Sequence, residues 1–256
     1  MRGLPLPALI VAAMATAAAE TAPEAQRSGY DFAGREIRAM QDDDTTNPGM
    51  LWVMQGETLW AKKTGAADRS CADCHGDARI SMKGAAARYP AFDAALDRPV
   101  DLEQRINQCR TERQHAQSLA WESEDLLALT AFVAHQSRGV PIAVRTDEQL
   151  RPFFALGNEL FHRREGQLNL SCSQCHDDNW GKRLAGSVIP QGHPTGYPLY
   201  RLEWQSLGSL QRRLRNCMIG VRGAPYEYSA PEAVALELYL MERASGMPIE
   251  TPAVRP

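Results

Sequence analysis

Between Leu4 and Ala19 the chain runs without a single charge and is almost wholly apolar. Arg2 precedes this run and Ala17-Ala18-Ala19 closes it before Glu20. A basic start, an apolar centre and a small-residue end describe a secretory signal peptide over residues 1–19, not a membrane span. Beyond Glu20, charges and prolines interrupt every apolar run, so no later stretch has the length of a bilayer-crossing helix. We therefore expect an exported mature chain with no membrane span.

The apolar positions of that mature chain follow patterns that occur twice. Gly56-Glu-Thr-Leu-Trp60 and Gly157-Asn-Glu-Leu-Phe161 lie 101 positions apart, and each reads as a helix. Leu102-Glu-Gln-Arg105-Ile106-Asn-Gln-Cys109 matches Leu210-Gln-Arg-Arg213-Leu214-Arg-Asn-Cys217 at 108 positions, so the second copy has gained seven residues, roughly over 186–198. Closing helices begin at Ser123-Glu-Asp-Leu126 and Ser229-Ala-Pro-Glu232 and run toward Gly139 and Gly246. The second carries the Ser-x-x-Glu of a capping box with Pro in its first turn. Val140-Pro141-Ile142 and Met247-Pro248-Ile249 follow those glycines, a helix stop signal in both copies. Residues 20–48, ending in Gln41-Asp-Asp-Asp-Thr-Thr-Asn-Pro48, read as a polar extension wrapping the first repeat.

Composition narrows the class. Without its leader the chain keeps enough residues for two domains of about 100 each. Its net charge of -3 moves only to -4 when Arg2 is removed, too little to imply a nucleic acid or a membrane surface as partner.

Each repeat contains Cys-x-x-Cys-His: Cys71-Ala-Asp-Cys74-His75 and Cys172-Ser-Gln-Cys175-His176, again 101 positions apart. Two thiols at this spacing can each form a thioether to a porphyrin edge, and the adjacent imidazole then reaches the iron. The expectation is two covalently bound haem c groups, with His75 and His176 as axial ligands, in a periplasmic protein. The order helix, haem loop, central helix, closing helix is that of a mono-haem cytochrome c domain. The expected fold is mainly α: two tandem cytochrome c-like helical domains related by internal duplication, over 49–145 and 146–256, behind the N-terminal extension 20–48.

Two cysteines remain, Cys109 and Cys217, at equivalent repeat positions. Each is a candidate sixth ligand to the iron of its own domain. A disulfide between them is the alternative that an oxidising compartment permits, and Met82, Met218 and Met241 are alternative axial donors. An anionic sulfur ligand stabilises ferric iron, and a thiolate is also a nucleophile. Arg213 and Arg105 stand four residues before Cys217 and Cys109, on the same helix face. The second copy adds Arg212, Arg215 and Arg222 where the first has Glu103 and Glu112, so the second site is the more anion-attracting. A guanidinium fork suits an oxyanion beside Cys217; Arg212 and Arg215 read as a solvated face or as holders of haem propionates. His193 is a candidate pocket acid or base. His115, His135 and His162 read as packing or surface residues and reserve ligands, and Trp60, Trp180 and Trp204 as haem-packing and core residues.

Cys172-Ser-Gln-Cys-His-Asp-Asp-Asn-Trp-Gly181, Gln191-Gly-His-Pro-Thr-Gly-Tyr-Pro198 and Arg213-Leu-Arg-Asn-Cys217-Met218 together resemble the dihaem A subunits of SoxAX cytochromes from thiosulfate-oxidising Sox systems. The resemblance spans both repeats. It implies an L-cysteine S-thiosulfotransferase that joins thiosulfate to a cysteine of a SoxYZ carrier, with electrons leaving through haem to a c-type cytochrome. By the same resemblance Cys217 is haem ligand and persulfide-forming catalytic residue, Arg213 binds substrate, and a mono-haem SoxX subunit completes a heterodimer. The residues by themselves leave room for a dihaem electron carrier, or for an exported zinc or disulfide-bonded binding module.

Overall fold

The structure, a computed structural model, describes residues 25–184 and 186–256; the expected signal peptide lies outside them. The extension carries helix α1 (Arg35–Asp42). The first half then contains α2 (Met50–Ala61), α3 (Cys71–His75), α4 (Ala78–Ser81), the hairpin of β1 (Ala91–Asp93) and β2 (Arg98–Val100), α5 (Leu102–Arg113) and α6 (Glu124–His135). In the second half come α7 (Arg151–His162), α8 (Cys172–His176), a hairpin of β3 (Arg183–Leu184) and β4 (Ser187–Val188), β5 (Leu199–Arg201), β6 (Ser206–Gly208), α9 (Leu210–Gly220) and α10 (Pro231–Arg243). Strand β7 (Val254–Arg255) ends the chain, lying parallel to β5 in a three-stranded sheet.

The closing helices form the core of each half. Every residue of α6 from Leu126 to Ala134 is buried, so it shows no polar face and is apolar nearly all round, as a helix enclosed by its neighbours must be. The crossing with the leading helix is close, which explains the repeated glycine. A Cβ on Gly56 would lie 2.1 Å from the Ala128 carbonyl oxygen, and one on Gly157 would lie 2.1 Å from that of Ala235. Trp60 and Phe132 pack beside the first crossing, with Phe161 and Tyr239 at the equivalent places in the second.

The two stop signals bind each other. Gly139 N–H donates to Ile249 O and Gly246 N–H to Ile142 O, both at 2.9 Å; Ile142 N–H donates to Met247 O at 2.9 Å and Ile249 N–H to Val140 O at 3.0 Å. The repeat equivalents exchange bonds reciprocally, so the halves meet about a local two-fold. A buried polar group lies between them as well: Gln211 Nε2 donates to Asp101 Oδ2 at 2.7 Å and to Glu237 Oε2 at 3.3 Å, with Glu103 alongside. Burial pushes the Asp101 carboxyl up to about 6 and that of Glu237 up to about 8, and raises Glu103 well above the usual carboxylate range.

Three expectations change. The extension wraps the second half: Arg27 N–H donates to Gln191 Oε1 at 2.7 Å, Ser28 Oγ to Glu250 at 2.7 Å, and Asn47 Nδ2 to Pro252 O at 2.9 Å. One ion pair, Arg138 to Asp44 at 2.7 Å, ties it to the first. Ser229 does not cap α10. It has a left-handed φ of 60° and gives its N–H to Gln211 Oε1, while Ala230 occupies the cap position without a side-chain bond. Only the first closing helix is capped by its serine, Ser123 accepting from Leu126 N–H. The extra length of the second copy includes the β3–β4 hairpin at 183–188, where the first half has the short helix α4.

Candidate functional site

Each Cys-x-x-Cys-His segment is a five-residue helix, too short to persist by propensity and held instead by its start. Ser70 and Asp73 form a reciprocal capping box at 2.8 and 3.0 Å, as do Ser171 and Gln174 at 2.9 and 3.3 Å. The loops leading into them are fastened to the ends of α5 and α9. Ala66 and Ala67 N–H donate to His115 and Gln114 carbonyls, and Gln167 and Leu168 N–H to those of Arg222 and Val221. The helix carrying Cys109 or Cys217 is thereby fixed against the helix carrying its motif.

All six cysteines are free thiols, so the structure has no Cys109–Cys217 disulfide. Cys109 lies with Cys71, whose thiol is raised by burial and then by the charge of Cys109. Cys217 lies with Cys172 and Cys175, and burial followed by Cys217 pushes the Cys172 thiol up to about 12. Two thiols one helical turn apart, an adjacent imidazole and a third thiol from another helix are donors that covalent haem c would use. His176 is oriented for such a role: its Nδ1 lies 2.7 Å from Pro190 O, leaving Nε2 as the free lone pair. Burial keeps its pKa below the usual histidine value, in the neutral form that a metal needs.

Phe32, Cys172, His176, Tyr197, Arg201, Arg213, Cys217 and Arg255 line one cavity in the second half. Arg213 is half-buried on α9 one turn before Cys217, and among the described residues its guanidinium has no hydrogen-bond or ion-pair partner. Burial disfavours the Arg213 cation, but its electrostatic interaction with Cys217 and Tyr197 more than offsets this and holds its pKa above the usual arginine value. Its counterpart Arg105 is tied down. Arg105 donates to Asp93 at 2.9 Å and bonds the Tyr89 hydroxyl, and Asp93 also accepts from Ala95 and Leu96 N–H and from Gln108.

The position equivalent to Asp93 in the second copy is Arg201. It is buried, lines the cavity, and has its own pKa lowered by burial and then by Arg213. Neither Arg201 nor Tyr197 was expected as a site residue from the sequence. Setting Tyr89-Pro-Ala-Phe-Asp93 against Tyr197-Pro-Leu-Tyr-Arg201 at the 108-residue spacing would have found both.

Other candidates fall elsewhere. Arg212 stacks over Trp204 at 4.2 Å and Arg215 over Tyr228 at 4.7 Å, the latter also donating to Tyr226 O; neither lines the cavity, and Arg222 is exposed. Glu103 is buried between the halves and is not part of an acidic face at the first site. His193 lines the cavity on the His176 side, its Nδ1 2.8 Å from Arg27 O, and burial lowers its pKa. His115 and His162 are exposed and His135 sits in α6; none of the three lines the cavity. Met241 is core, and Met82 packs in the cluster that includes Cys71. Trp60 packs on His75 with ring centres 5.7 Å apart, but Trp180 holds the extension through Phe32 and Trp204 supports arginines.

Comparison with known proteins agrees with this arrangement. The family model described as SoxA/TsdA, cytochrome c domain, matches residues 55–142 and again 156–249. The chain is 39% identical over 229 residues to the L-cysteine S-thiosulfotransferase subunit SoxA of Pseudaminobacter salicylatoxidans, covering 89% of this chain and 80% of that one. It is 36% identical to the protein of the same name from Rhodovulum sulfidophilum, over 90% of this chain and 80% of the relative. The crystal structure of SoxXA from P. pantotrophus superposes with a TM-score of 0.87 at 31% identity, covering 90% of this chain and 87% of that one. A cytochrome c domain matched twice carries covalent haem c, and no helix among the described residues is long and apolar enough to cross a membrane. With both halves matched and identity sustained along nearly the whole described chain, this protein belongs to the SoxA/TsdA cytochrome c family and, within it, to SoxA.

Proposed function

We propose that the chain is the dihaem subunit of a periplasmic SoxAX-type L-cysteine S-thiosulfotransferase, joining thiosulfate to a cysteine of a SoxYZ-type carrier. Cys71 and Cys74 hold the first haem, with His75 and Cys109 on its iron; Cys172 and Cys175 hold the second, with His176 and Cys217 on its iron. A mono-haem SoxX-type subunit is the partner, and a c-type cytochrome receives the electrons.

The observation that carries this reading is the half-buried Arg213 guanidinium, without a partner among the described residues, in the cavity that Cys217 also lines. A guanidinium with no protein partner can take an oxyanion on its planar fork, and two oxygens of a sulfonate match it. With its oxyanion end on Arg213, thiosulfate directs its terminal sulfur to the Cys217 side. Forming the S–S bond to the carrier cysteine breaks one S–H bond and releases two electrons and one proton. Bound haem supplies the sink for those electrons. In this reading Cys217 is the persulfide-forming residue, and residues of the extension and the C-terminus wall its cavity.

The test is turnover of the assembled complex with thiosulfate and carrier. Arg213→Ala raises the thiosulfate KM about tenfold or more with the haem spectrum intact, and Cys217→Ala abolishes turnover and changes the iron ligation signature. Full turnover in both variants would falsify the assignment. Alone among dihaem readings, a pure electron carrier would keep its thiosulfate-independent electron transfer and show no thiosulfate KM to move.

A further inference from the structure

We propose that Arg201 is a second anion-positioning residue, and that the exchange of Asp93 for Arg201 between the repeats selects the half that accepts a doubly charged sulfur oxyanion. This rests on the proposed thiosulfate site and deepens it.

The two positions are equivalent in fold: each is the last residue of the first strand in an antiparallel hairpin, three residues after the repeated Pro90 or Pro198. In the first half Asp93 pairs with Arg105 at 2.9 Å, so that cation is offset by a buried carboxylate. In the second half the same place holds a cation that lines the same cavity as Arg213, and burial and then Arg213 lower its pKa. Among the described residues only the mostly exposed Glu203 offsets this second cation, so an anion in the cavity meets two guanidinium groups and no buried carboxylate. Arg201 is held in place independently of any ligand. Nε donates to Pro256 O at 2.8 Å, a terminal nitrogen pairs with Glu203 at 2.9 Å, and the guanidinium lies 5.1 Å from the Trp204 ring centre. These contacts leave donors on the other terminal nitrogen and fix the charge at the cavity wall. Arg213, by contrast, has no such ties. The arrangement divides the work: Arg213 is free to grip the oxyanion, and Arg201 supplies a preorganised field for its second charge.

A holder of haem propionates is the other role open to Arg201, and the two separate experimentally. In the haem-loaded complex Arg201→Gln raises both the calorimetric Kd for thiosulfate and its KM about tenfold, with kcat, haem content and absorption spectrum unchanged; Arg201→Lys restores most of the loss. Glu203→Gln acts in the opposite direction. It removes a mostly exposed carboxylate that partly masks Arg201, and lowers the Kd two- to threefold, a gain about the size of one surface charge pair, in a variant with no reason to misfold. Unchanged Kd in both Arg201→Gln and Glu203→Gln overturns the proposal, as does altered haem content or spectrum in Arg201→Gln with the Kd intact. Arg213→Ala is the reference. If it too leaves the thiosulfate Kd unchanged, the substrate site itself is misassigned; if it weakens binding while Arg201→Gln does not, only the role of Arg201 fails.

Discussion

The two halves share a scaffold down to single hydrogen bonds and differ in what surrounds the sulfur. Both fasten the haem-motif loop to the end of the thiol-bearing helix, and both cross their main helices at a glycine. In the first half, Cys74 and His75 are exposed and the arginine before Cys109 is spent on Asp93. In the second, His176 is half-buried, the cavity is walled by residues of the extension and the C-terminus, and two arginines line it with Cys217, the only carboxylate paired with either among the described residues being the mostly exposed Glu203. Duplication preserved the geometry that sets a thiol against a haem motif. Reactivity follows from charge and cover, which can change one residue at a time without disturbing that geometry.

The largest effect should separate the two sulfurs. Cys217→Ser lowers turnover with thiosulfate and carrier by about a thousandfold, whereas Cys109→Ser keeps turnover within about threefold and changes only the ligation signature of its own iron. Equal losses would mean that the first site takes part in the reaction, and the contrast between halves would be one of accessibility alone.

Where the halves are alike, they should fail alike. Gly56→Ala and Gly157→Ala each drive a methyl to 2.1 Å from a backbone carbonyl oxygen, which a flexible side chain cannot relieve. Each should cost about 3 kcal/mol or more, read as loss of the melting transition. A large penalty at one glycine only would show that the two crossings are not equivalent.

Much of this was legible in the sequence because it repeats. Two Cys-x-x-Cys-His motifs and two paired glycines fix a register, and the register exposes Cys109, Cys217 and Arg213. What it left obscure has physical causes. The extension is polar and carries no periodicity, so its choice of the second half depends on distant partners such as Gln191, Glu250 and Pro252. Glu103 reads as a solvated helical acid, yet lies buried where the halves meet. Ser229 satisfies the capping pattern, but its N–H goes to Gln211 and the helix starts one residue later than that pattern requires. Arg201 was legible in principle, its charge standing opposite Asp93 in the aligned repeats, and was hidden only because it lies outside the segments of strongest likeness.

The junction of the halves should give stability a dependence on pH. The Glu237 carboxyl titrates near 8 in the folded protein against an ordinary value of 4.5, and Asp101 near 6 against 3.8. Below about pH 3 both states keep these protons and the groups cost nothing. As pH rises the unfolded chain loses them first, so stability falls by up to about 1.4 kcal/mol per pH unit for each proton and levels off above the folded value. Asp101, Glu103 and Gln211 are the polar groups facing Glu237 from the neighbouring helices. Glu237→Gln should flatten the fall between about pH 5 and 8 in denaturant titrations; an unaltered slope would place the titrating group elsewhere.

The smallest effect is the most discriminating. Arg105→Gln removes an ion pair, but Asp93 keeps its bonds from Ala95, Leu96 and Gln108 and the guanidinium is about one-third exposed, so the cost should be about 1 kcal/mol. That corresponds to roughly 2–4 °C in Tm for a chain of this size. Arg213→Gln should cost less than that, because among the described residues it breaks no hydrogen bond or ion pair. Added thiosulfate should then stabilise the parent protein and Arg105→Gln equally, and Arg213→Gln less. A drop in Tm on Arg213→Gln as large as on Arg105→Gln would mean that the second arginine is as firmly tied as the first and is not free to take a substrate.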